Sequence, residues 1–334
     1  MATAPQTTLL EVQDLSVQFP TPTGIIDAVS GVSFTLARGR VACLLGESGS
    51  GKSVTLRSIV RLNQGARTTG TILLDGQRVL AMSRREIRDH RRGAAAMVFQ
   101  EPMTALDPVY TIGAQIEETV RRHRNVNRID ARLRALELLE LVQIPSPARC
   151  LAAYPNELSG GMRQRVMIAI ALACEPTLLL ADEPTTALDV TVQAQILWLL
   201  RDLQQRLGFG LLIVTHDLGV AAEIAHDALV MYAGRIVEQT TVERLFAEPT
   251  HPYTRGLMAA TVRRGQRGRP LVPIPGGPPN LAALPAGCAF APRCEAAIVE
   301  CHTERPELVK VGPAHLTRCH LALTPRASIA TAAG

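Results

Sequence analysis

Short apolar runs alternate with amphipathic helical periods along the first 250 residues of the 334-residue chain. Four of these runs have the length of strands and lie at residues 41–45 (VACLL), 95–99 (AAMVF), 177–181 (TLLLA) and 211–215 (LLIVT). Continuous apolar runs of this length are typical of strands covered on both faces in a parallel sheet. The pattern therefore predicts an α/β fold, in which ligands collect at the carboxyl ends of the strands.

Two stretches depart from this alternation and indicate how the chain is divided. Residues 101–175 contain helical periods, such as 129–142, and no strand-like run, which predicts a helical subdomain inserted in the α/β core. Residues 270–285 are too rich in proline and glycine for a continuous helix or a central strand. We therefore predict a core domain over residues 1–250 and a C-terminal extension over residues 251–334.

Charge is distributed unevenly between these two parts. The net charge of the chain is +5, but residues 255–334 alone carry ten Lys or Arg against four Glu, so the preceding part is close to neutral. Because aromatic residues make up only 3% of the chain, there is little material for stacking bases. We expect no nucleic-acid partner.

Membrane insertion and secretion are not expected either. The longest apolar run, residues 166–174, is nine residues long, about half of what a membrane span needs. The first residues show neither the basic nor the apolar region of a signal peptide.

A glycine-rich loop between a predicted strand and a predicted helix is the strongest chemical motif. It fits the pattern GxxxxGK[ST] and consists of Gly46, Glu47, Ser48, Gly49, Ser50, Gly51, Lys52 and Ser53. In such a P-loop, backbone N–H groups at the positive end of a helix surround the phosphates of a nucleotide. Lys52 would reach the β- and γ-phosphates, and the Ser53 hydroxyl would bind Mg²⁺.

Polar residues end three further predicted strands. Asp182 and Glu183 follow the run at 177–181, where Asp182 is a candidate ligand of Mg²⁺ and Glu183 can polarise an attacking water. Gln100 and His216 follow two other strands; taken singly, each could be an ordinary surface residue. At the edge of a nucleotide-binding sheet, Gln100 can contact Mg²⁺ or the water, and His216 can contact the γ-phosphate.

A capped helix start precedes the apolar run at 166–174. Ser159 is a plausible N-cap, and Gly160 and Gly161 beside it would form an anion-accepting surface. With the P-loop, Gln100, the Asp182–Glu183 pair and His216 in this order, the sequence LSGGMRQR at 158–165 resembles the signature of ABC-type ATPases. The resemblance covers about residues 8–250 and implies a P-loop NTPase core of the ABC ATPase kind.

The resemblance also implies roles for individual residues. ATP would lie between the P-loop of one subunit and the signature serine and glycines of a second subunit, arranged head-to-tail. Glu183 would be the catalytic base, His216 the switch histidine and Gln100 the Q-loop residue. Asp189, in the ALD sequence at 187–189, corresponds to the D-loop, and Phe19 to the aromatic residue that stacks on adenine.

The C-terminal part narrows the resemblance. The sequence HPYTRGL at 251–257, the proline-rich stretch and the spaced cysteines are similar to the extension of oligopeptide/dipeptide importer ATPases, some of which serve nickel or glutathione uptake. This implies an ATP hydrolase at the cytoplasmic face of the membrane. Its partners would be a related, non-identical ATPase chain, two transmembrane permease subunits and, indirectly, an extracytoplasmic solute-binding protein. A soluble ABC ATPase acting on DNA or ribosomes is a less favoured alternative.

Four cysteines crowd into 32 residues of the extension: Cys288, Cys294, Cys301 and Cys319. Clustered cysteines in a chain without a signal peptide indicate a metal more than disulfides. A [4Fe–4S] cluster, zinc and free thiols are all compatible with the spacing, although no pair has the close CxxC spacing that zinc sites favour. The family resemblance favours the cluster, which makes the extension a predicted metal-binding element.

Overall fold

The computed structural model describes residues 7–22, 24–91, 93–101, 105–186, 188–261 and 272–323. In the first half of the chain the elements are β1 (Thr8–Thr21), β2 (Gly24–Ala37), β3 (Val41–Leu45), α1 (Lys52–Ile59), β4 (Arg67–Leu74), β5 (Gln77–Arg78), α2 (Arg84–His90), β6 (Ala95–Val98), α3 (Ile112–Arg124), α4 (Arg128–Leu141), α5 (Pro147–Ala152) and α6 (Gly160–Leu172). In the second half they are β7 (Leu178–Asp182), α7 (Val190–Leu207), β8 (Gly210–Thr215), α8 (Leu218–Ile224), β9 (Asp227–Tyr232), β10 (Arg235–Thr241), α9 (Val242–Ala247), α10 (Pro252–Ala259), α11 (Glu300–Thr303), β11 (Val309–Gly312) and β12 (His315–Thr317).

An eight-stranded sheet in the order β11-β12-β10-β9-β3-β8-β7-β6 carries the predicted strands. Strands β9, β3, β8, β7 and β6 pair in parallel, and β10, β12 and β11 add to them antiparallel. Every residue of β3, β7 and β8 is buried, which explains why these strands read as continuous apolar runs. The predicted α/β fold with a largely parallel sheet is confirmed.

A second, four-stranded antiparallel sheet, β2-β1-β4-β5, covers one face of the main sheet. One core cluster lies between the two sheets, with Leu15, Phe34 and Leu44 among its residues. The larger cluster lies between the main sheet and the helices α3 to α10. Between residues 105 and 177 the described chain forms only helices and turns.

None of the helices within the described residues combines the length and the apolar character that crossing a bilayer requires.

The C-terminal part of the chain is joined to the main sheet by a buried carboxylate. Glu238 in β10 is fully buried, and its Oε1 lies 2.8 Å from Nε2 of His315 in β12. The same carboxylate accepts hydrogen bonds from the backbone N–H groups of Thr250 and His251, at 2.8 and 2.9 Å. Because a buried charge is costly unless it is fully bonded, this network fixes how β12 and α10 meet β10.

His251 begins α10 and is buried in a neutral state. Its Nδ1 accepts the N–H of Tyr253 at 3.0 Å, which caps the helix, and Pro252 occupies the first helical position. Burial lowers the pKa of His251 from 6.5 to about 4, although Glu238 opposes this shift. The imidazole therefore resists protonation in the folded chain.

We predict that His251 makes the stability of the chain depend on pH. Since its pKa is lower in the folded state than in the unfolded state, the unfolded chain takes up the proton first as the pH falls below 6.5. Between pH 7 and pH 5 the free energy of unfolding should drop by about 2 kcal/mol through this residue. Urea unfolding of the wild type and of His251→Asn, which keeps a capping side chain without a titrating group, measures this. Equal pH slopes in the two proteins would contradict the prediction.

Candidate functional site

The P-loop wraps tightly around the end of β3 because two of its glycines meet backbone atoms. A Cβ on Gly46, whose φ is +151°, would lie 2.2 Å from the carbonyl oxygen of Met231. A Cβ on Gly51, whose φ is +101°, would lie 2.5 Å from the carbonyl oxygen of Ala28. The loop therefore packs directly against β9 and β2, and only glycine permits this approach.

Lys52 is the first residue of α1, and its ammonium group points back into the loop. Its Nζ donates to the carbonyl oxygens of Gly46 and Glu47, both at 2.8 Å, and the residue is buried. Burial lowers the pKa of Lys52, whereas Glu183 and Asp182 raise it. The cation is thus held inside the curve of the loop, where phosphate oxygens bind in P-loop proteins.

Asp182 ends β7 beside the start of α1. Its side chain has 0% exposure, and its Oδ1 accepts the hydroxyl of Ser53 at 2.6 Å. Its Oδ2 lies 3.3 Å from the guanidinium of Arg57. A carboxylate and a hydroxyl oxygen side by side are ligands that Mg²⁺ prefers, so this pair fits a magnesium ion.

Glu183 contacts the polar residues that follow the neighbouring strands. Its Oε2 lies 3.3 Å from Nε2 of Gln100 and 3.3 Å from Nδ1 of His216. It also accepts the hydroxyl of Thr186 at 2.8 Å, a contact that the sequence analysis missed. Glu183 has a φ of +46°, a strained value for a non-glycine residue of the kind that functional sites retain. Gln100, Glu183 and His216 are therefore brought together, as expected for one edge of a parallel sheet.

The predicted signature residues lie at the start of α6. Ser159 is exposed and caps α6 by accepting the N–H of Met162 at 3.3 Å. A Cβ on Gly161 would lie 2.6 Å from Val192, so the helix start packs on the beginning of α7. Asp189 caps α7 through the N–H of Val192 at 3.0 Å, while residue 187 of the D-loop lies outside the described residues.

Phe19, predicted to stack on adenine, is half-buried near the end of β1. It pairs with Ile26 across the antiparallel sheet and packs against the core between the two sheets. Its role at a nucleotide remains a prediction.

Two residues of the C-terminal part reach the P-loop, and the sequence analysis did not identify either. The phenolic oxygen of Tyr253 accepts the backbone N–H of Glu47 at 2.8 Å. Arg293 binds both carboxylate oxygens of Glu47, at 2.7 and 3.0 Å. No local pattern signals contacts between residues more than 200 positions apart.

The four clustered cysteines are close in space and form no disulfide. Burial raises the pKa of Cys319 to about 11, and the neighbouring Cys288, Cys294 and Cys301 add to this rise. Backbone N–H groups of Phe290 and Ala291 bond to the sulfur of Cys288 and oppose the rise of its pKa. Across the described residues, however, no three His, Cys, Asp or Glu side chains are arranged to hold a metal ion. The cysteines predicted to bind a metal are thus not arranged in coordination geometry for a metal ion in this structure.

Comparisons with known proteins agree with this geometry. Residues 29–186 match the ABC transporter family, and residues 237–301 match the oligopeptide/dipeptide transporter C-terminal region. A probable peptide ABC transporter ATP-binding protein of Sinorhizobium fredii is 51% identical over 93% of this chain and 94% of that protein. The oligopeptide transport ATP-binding protein OppD of Bacillus subtilis is 46% identical over 94% of this chain and 89% of that protein.

Solved structures show the same core. The dimeric ATP-binding cassette MJ0796, bound to ADP and phosphate, superposes with a TM-score of 0.64 at 30% identity, covering 70% of this chain and 98% of that one. The fold and the site define an ABC-type ATPase. The chain belongs to the ABC transporter ATP-binding subunits of the oligopeptide/dipeptide family.

We predict that alanine substitutions at different glycines of the P-loop destabilise the chain by different amounts, because only some of these glycines are closely packed. Gly46→Ala should lower the free energy of unfolding by about 3 kcal/mol, because the new Cβ collides with a backbone carbonyl. Gly49 has a φ of +77° but no atom within 4 Å of the Cβ position, so Gly49→Ala should lose only about 1 kcal/mol. Urea unfolding of both variants compares them; equal losses would contradict the packing described here.

Proposed function

We propose that the chain hydrolyses ATP to drive the import of di- and oligopeptides through separate transmembrane subunits. The observation that carries the proposal is the convergence of three groups at one sheet edge. Lys52 lies inside the P-loop, Ser53 and Asp182 form an oxygen pair beside it, and Glu183 lies between Gln100 and His216.

In this proposal each residue at the edge acts on the γ-phosphate or the attacking water. Glu183 accepts the proton of the water as it attacks in line, and its contacts with Gln100 and Thr186 orient the carboxylate. His216 contacts the γ-phosphate, and Lys52 offsets the charge of the phosphate oxygens. Ser53, Asp182 and Gln100 would hold Mg²⁺, which neutralises phosphate charge when bound.

The site is completed by a second subunit. Ser159 is exposed at the start of α6, where its hydroxyl accepts the N–H of Met162. We therefore assign Ser159, Gly160 and Gly161 to the P-loop of a partner cassette, in a head-to-tail pair with a related, non-identical chain. Asp189 would lie at the same interface, and Phe19 would stack on adenine.

The transport assignment follows from the relatives, which are described as peptide or oligopeptide ATP-binding proteins. The chain would sit at the cytoplasmic face of the membrane on two permease subunits, supplied by an extracytoplasmic solute-binding protein. Nickel or glutathione are the alternative solutes.

We predict that Glu183→Gln separates ATP binding from hydrolysis. Loss of the base should reduce hydrolysis at least about 100-fold while ATP still binds, whereas Lys52→Ala should lose ATP binding. Phosphate release by the assembled transporter and uptake of a labelled dipeptide or of radioactive nickel by cells should both be measured. Glu118→Gln, on the exposed side of α3, is the matched control and should behave as the wild type. Unchanged hydrolysis in Glu183→Gln would show that Glu183 is not the catalytic base. Uptake of nickel alone would show that peptides are not the transported solute.

We also propose that Cys288, Cys294, Cys301 and Cys319 hold a [4Fe–4S] cluster, which as a bound group would cross-link the extension. Three features support this: Cys288, Cys294 and Cys301 lie close enough to Cys319 to raise its pKa, N–H groups bond to the sulfur of Cys288, and a cavity of about 40 Å³ adjoins Cys288. Arg235 and Arg318 line the cavity and would offset the negative charge of four thiolates. A single zinc ion needs its sulfurs closer together than a cluster does, so the lack of a finished ion site among the described residues weighs against zinc.

We predict that the chain purified without oxygen contains iron and acid-labile sulfide in equal amounts. Cys294→Ser should lose most of both, while Cys174→Ser, at a half-buried cysteine outside the group, should keep them. Elemental analysis and sulfide determination decide this. Zinc without sulfide, or no metal at all, would rule out the cluster.

A further inference from the structure

Arg293 and Glu47 form an ion pair between the C-terminal extension and the P-loop. Both carboxylate oxygens of Glu47 are bound by the guanidinium, at 2.7 and 3.0 Å, and the third guanidinium nitrogen, Nε, donates to the carbonyl of Pro275 at 2.7 Å. The side chain of Arg293 is only 7% exposed and that of Glu47 is 28% exposed. The pair is therefore poorly screened by water and fixed in geometry.

The backbone at Glu47 is held by the same region. Tyr253 accepts its N–H, and the ring of Tyr253 packs against Tyr232 and Phe290, with centroids 4.6 and 5.4 Å apart. The guanidinium of Arg293 also lies over the rings of Tyr232 and Phe290. One aromatic cluster thus supports both contacts to the second residue of the P-loop.

The charge of Glu47 matters because of where it lies. Its carboxylate is close enough to raise the pKa of Lys52, and its own carbonyl accepts the ammonium of Lys52. An unpaired carboxylate here would repel the phosphates of ATP and compete with them for Lys52. Because the guanidinium of Arg293 binds both oxygens of Glu47, it offsets the charge of this carboxylate.

We propose that Arg293 is a positioning residue of the nucleotide site: it neutralises Glu47 and holds it away from the phosphate-binding curve of the P-loop. The inference rests on the proposed function, since it assumes that this loop binds ATP. Through Arg293, the C-terminal extension would increase the affinity of the P-loop for ATP.

The position of Arg293 in the chain connects the cysteine group to the same contact. Arg293 immediately precedes Cys294, and the segment from Cys288 to Cys294 also carries Phe290. The N–H of Cys288 donates to the carbonyl of Cys301 at 2.8 Å, which anchors the start of this segment. A change in what the cysteines bind would therefore act on the residue that holds Glu47.

The test is the dissociation constant of MgATP, measured on the full-length chain for wild type, Arg293→Met, Glu47→Gln and the double variant. Arg293→Met should weaken binding about ten-fold, because it leaves a carboxylate beside the phosphates. Glu47→Gln should restore most of that affinity in the double variant, since the repulsive charge is gone. A purely structural role for Arg293 would give no such rescue.

Controls separate this inference from the proposed function and from misfolding. Arg244→Met removes a half-buried arginine elsewhere in the chain, which donates to the carbonyl of Pro313, and should leave affinity unchanged. Arg293→Lys keeps the charge and should lose less affinity than Arg293→Met, and circular dichroism checks that each variant is folded. If Lys52→Ala binds MgATP as tightly as the wild type, the proposed function fails. If Lys52→Ala loses binding while Arg293→Met keeps wild-type affinity, or if Glu47→Gln does not rescue it, only the inference on Arg293 fails.

Discussion

A fully buried carboxylate at the end of β7 constrains the whole nucleotide site. The buried side chain of Asp182 is bonded by Ser53 and Arg57, which both belong to α1, and a buried carboxylate without such partners would be costly. This requirement places the start of α1 against the end of β7 and so fixes the path of the loop between β3 and α1. Glu183, the next residue, is then carried into the space between Gln100 and His216.

A second buried carboxylate fixes the position of the C-terminal part of the chain. Glu238 draws His315, Thr250 and His251 together, which joins β12 and α10 to the edge strand β10. Helix α10 then begins where Tyr253 can reach the P-loop. The extension is thus an integral part of the main sheet, and its position bears on the site where phosphates would bind.

The sequence was most informative where chemistry depends on neighbouring residues. The parallel strands could be predicted because burial on both faces requires continuous apolar runs, and the meeting of Gln100, Glu183 and His216 followed from their strand ends. The contacts of Tyr253 and Arg293 with Glu47 could not be predicted from the sequence, because no short-range pattern encodes a pairing across more than 200 residues. The cysteine spacing anticipated proximity in space, but ligand geometry depends on sulfur directions that spacing does not determine.

Coupling of ATP hydrolysis to peptide import by this chain is tested most directly by the rate of ATP hydrolysis in the assembled transporter. The chain would be combined with its transmembrane partners and solute-binding protein, and the rate followed while dipeptides or Ni²⁺ are added in parallel. We expect dipeptides to stimulate hydrolysis and Ni²⁺ to leave it unchanged. Stimulation by Ni²⁺ alone, or a rate that neither solute changes, would contradict it.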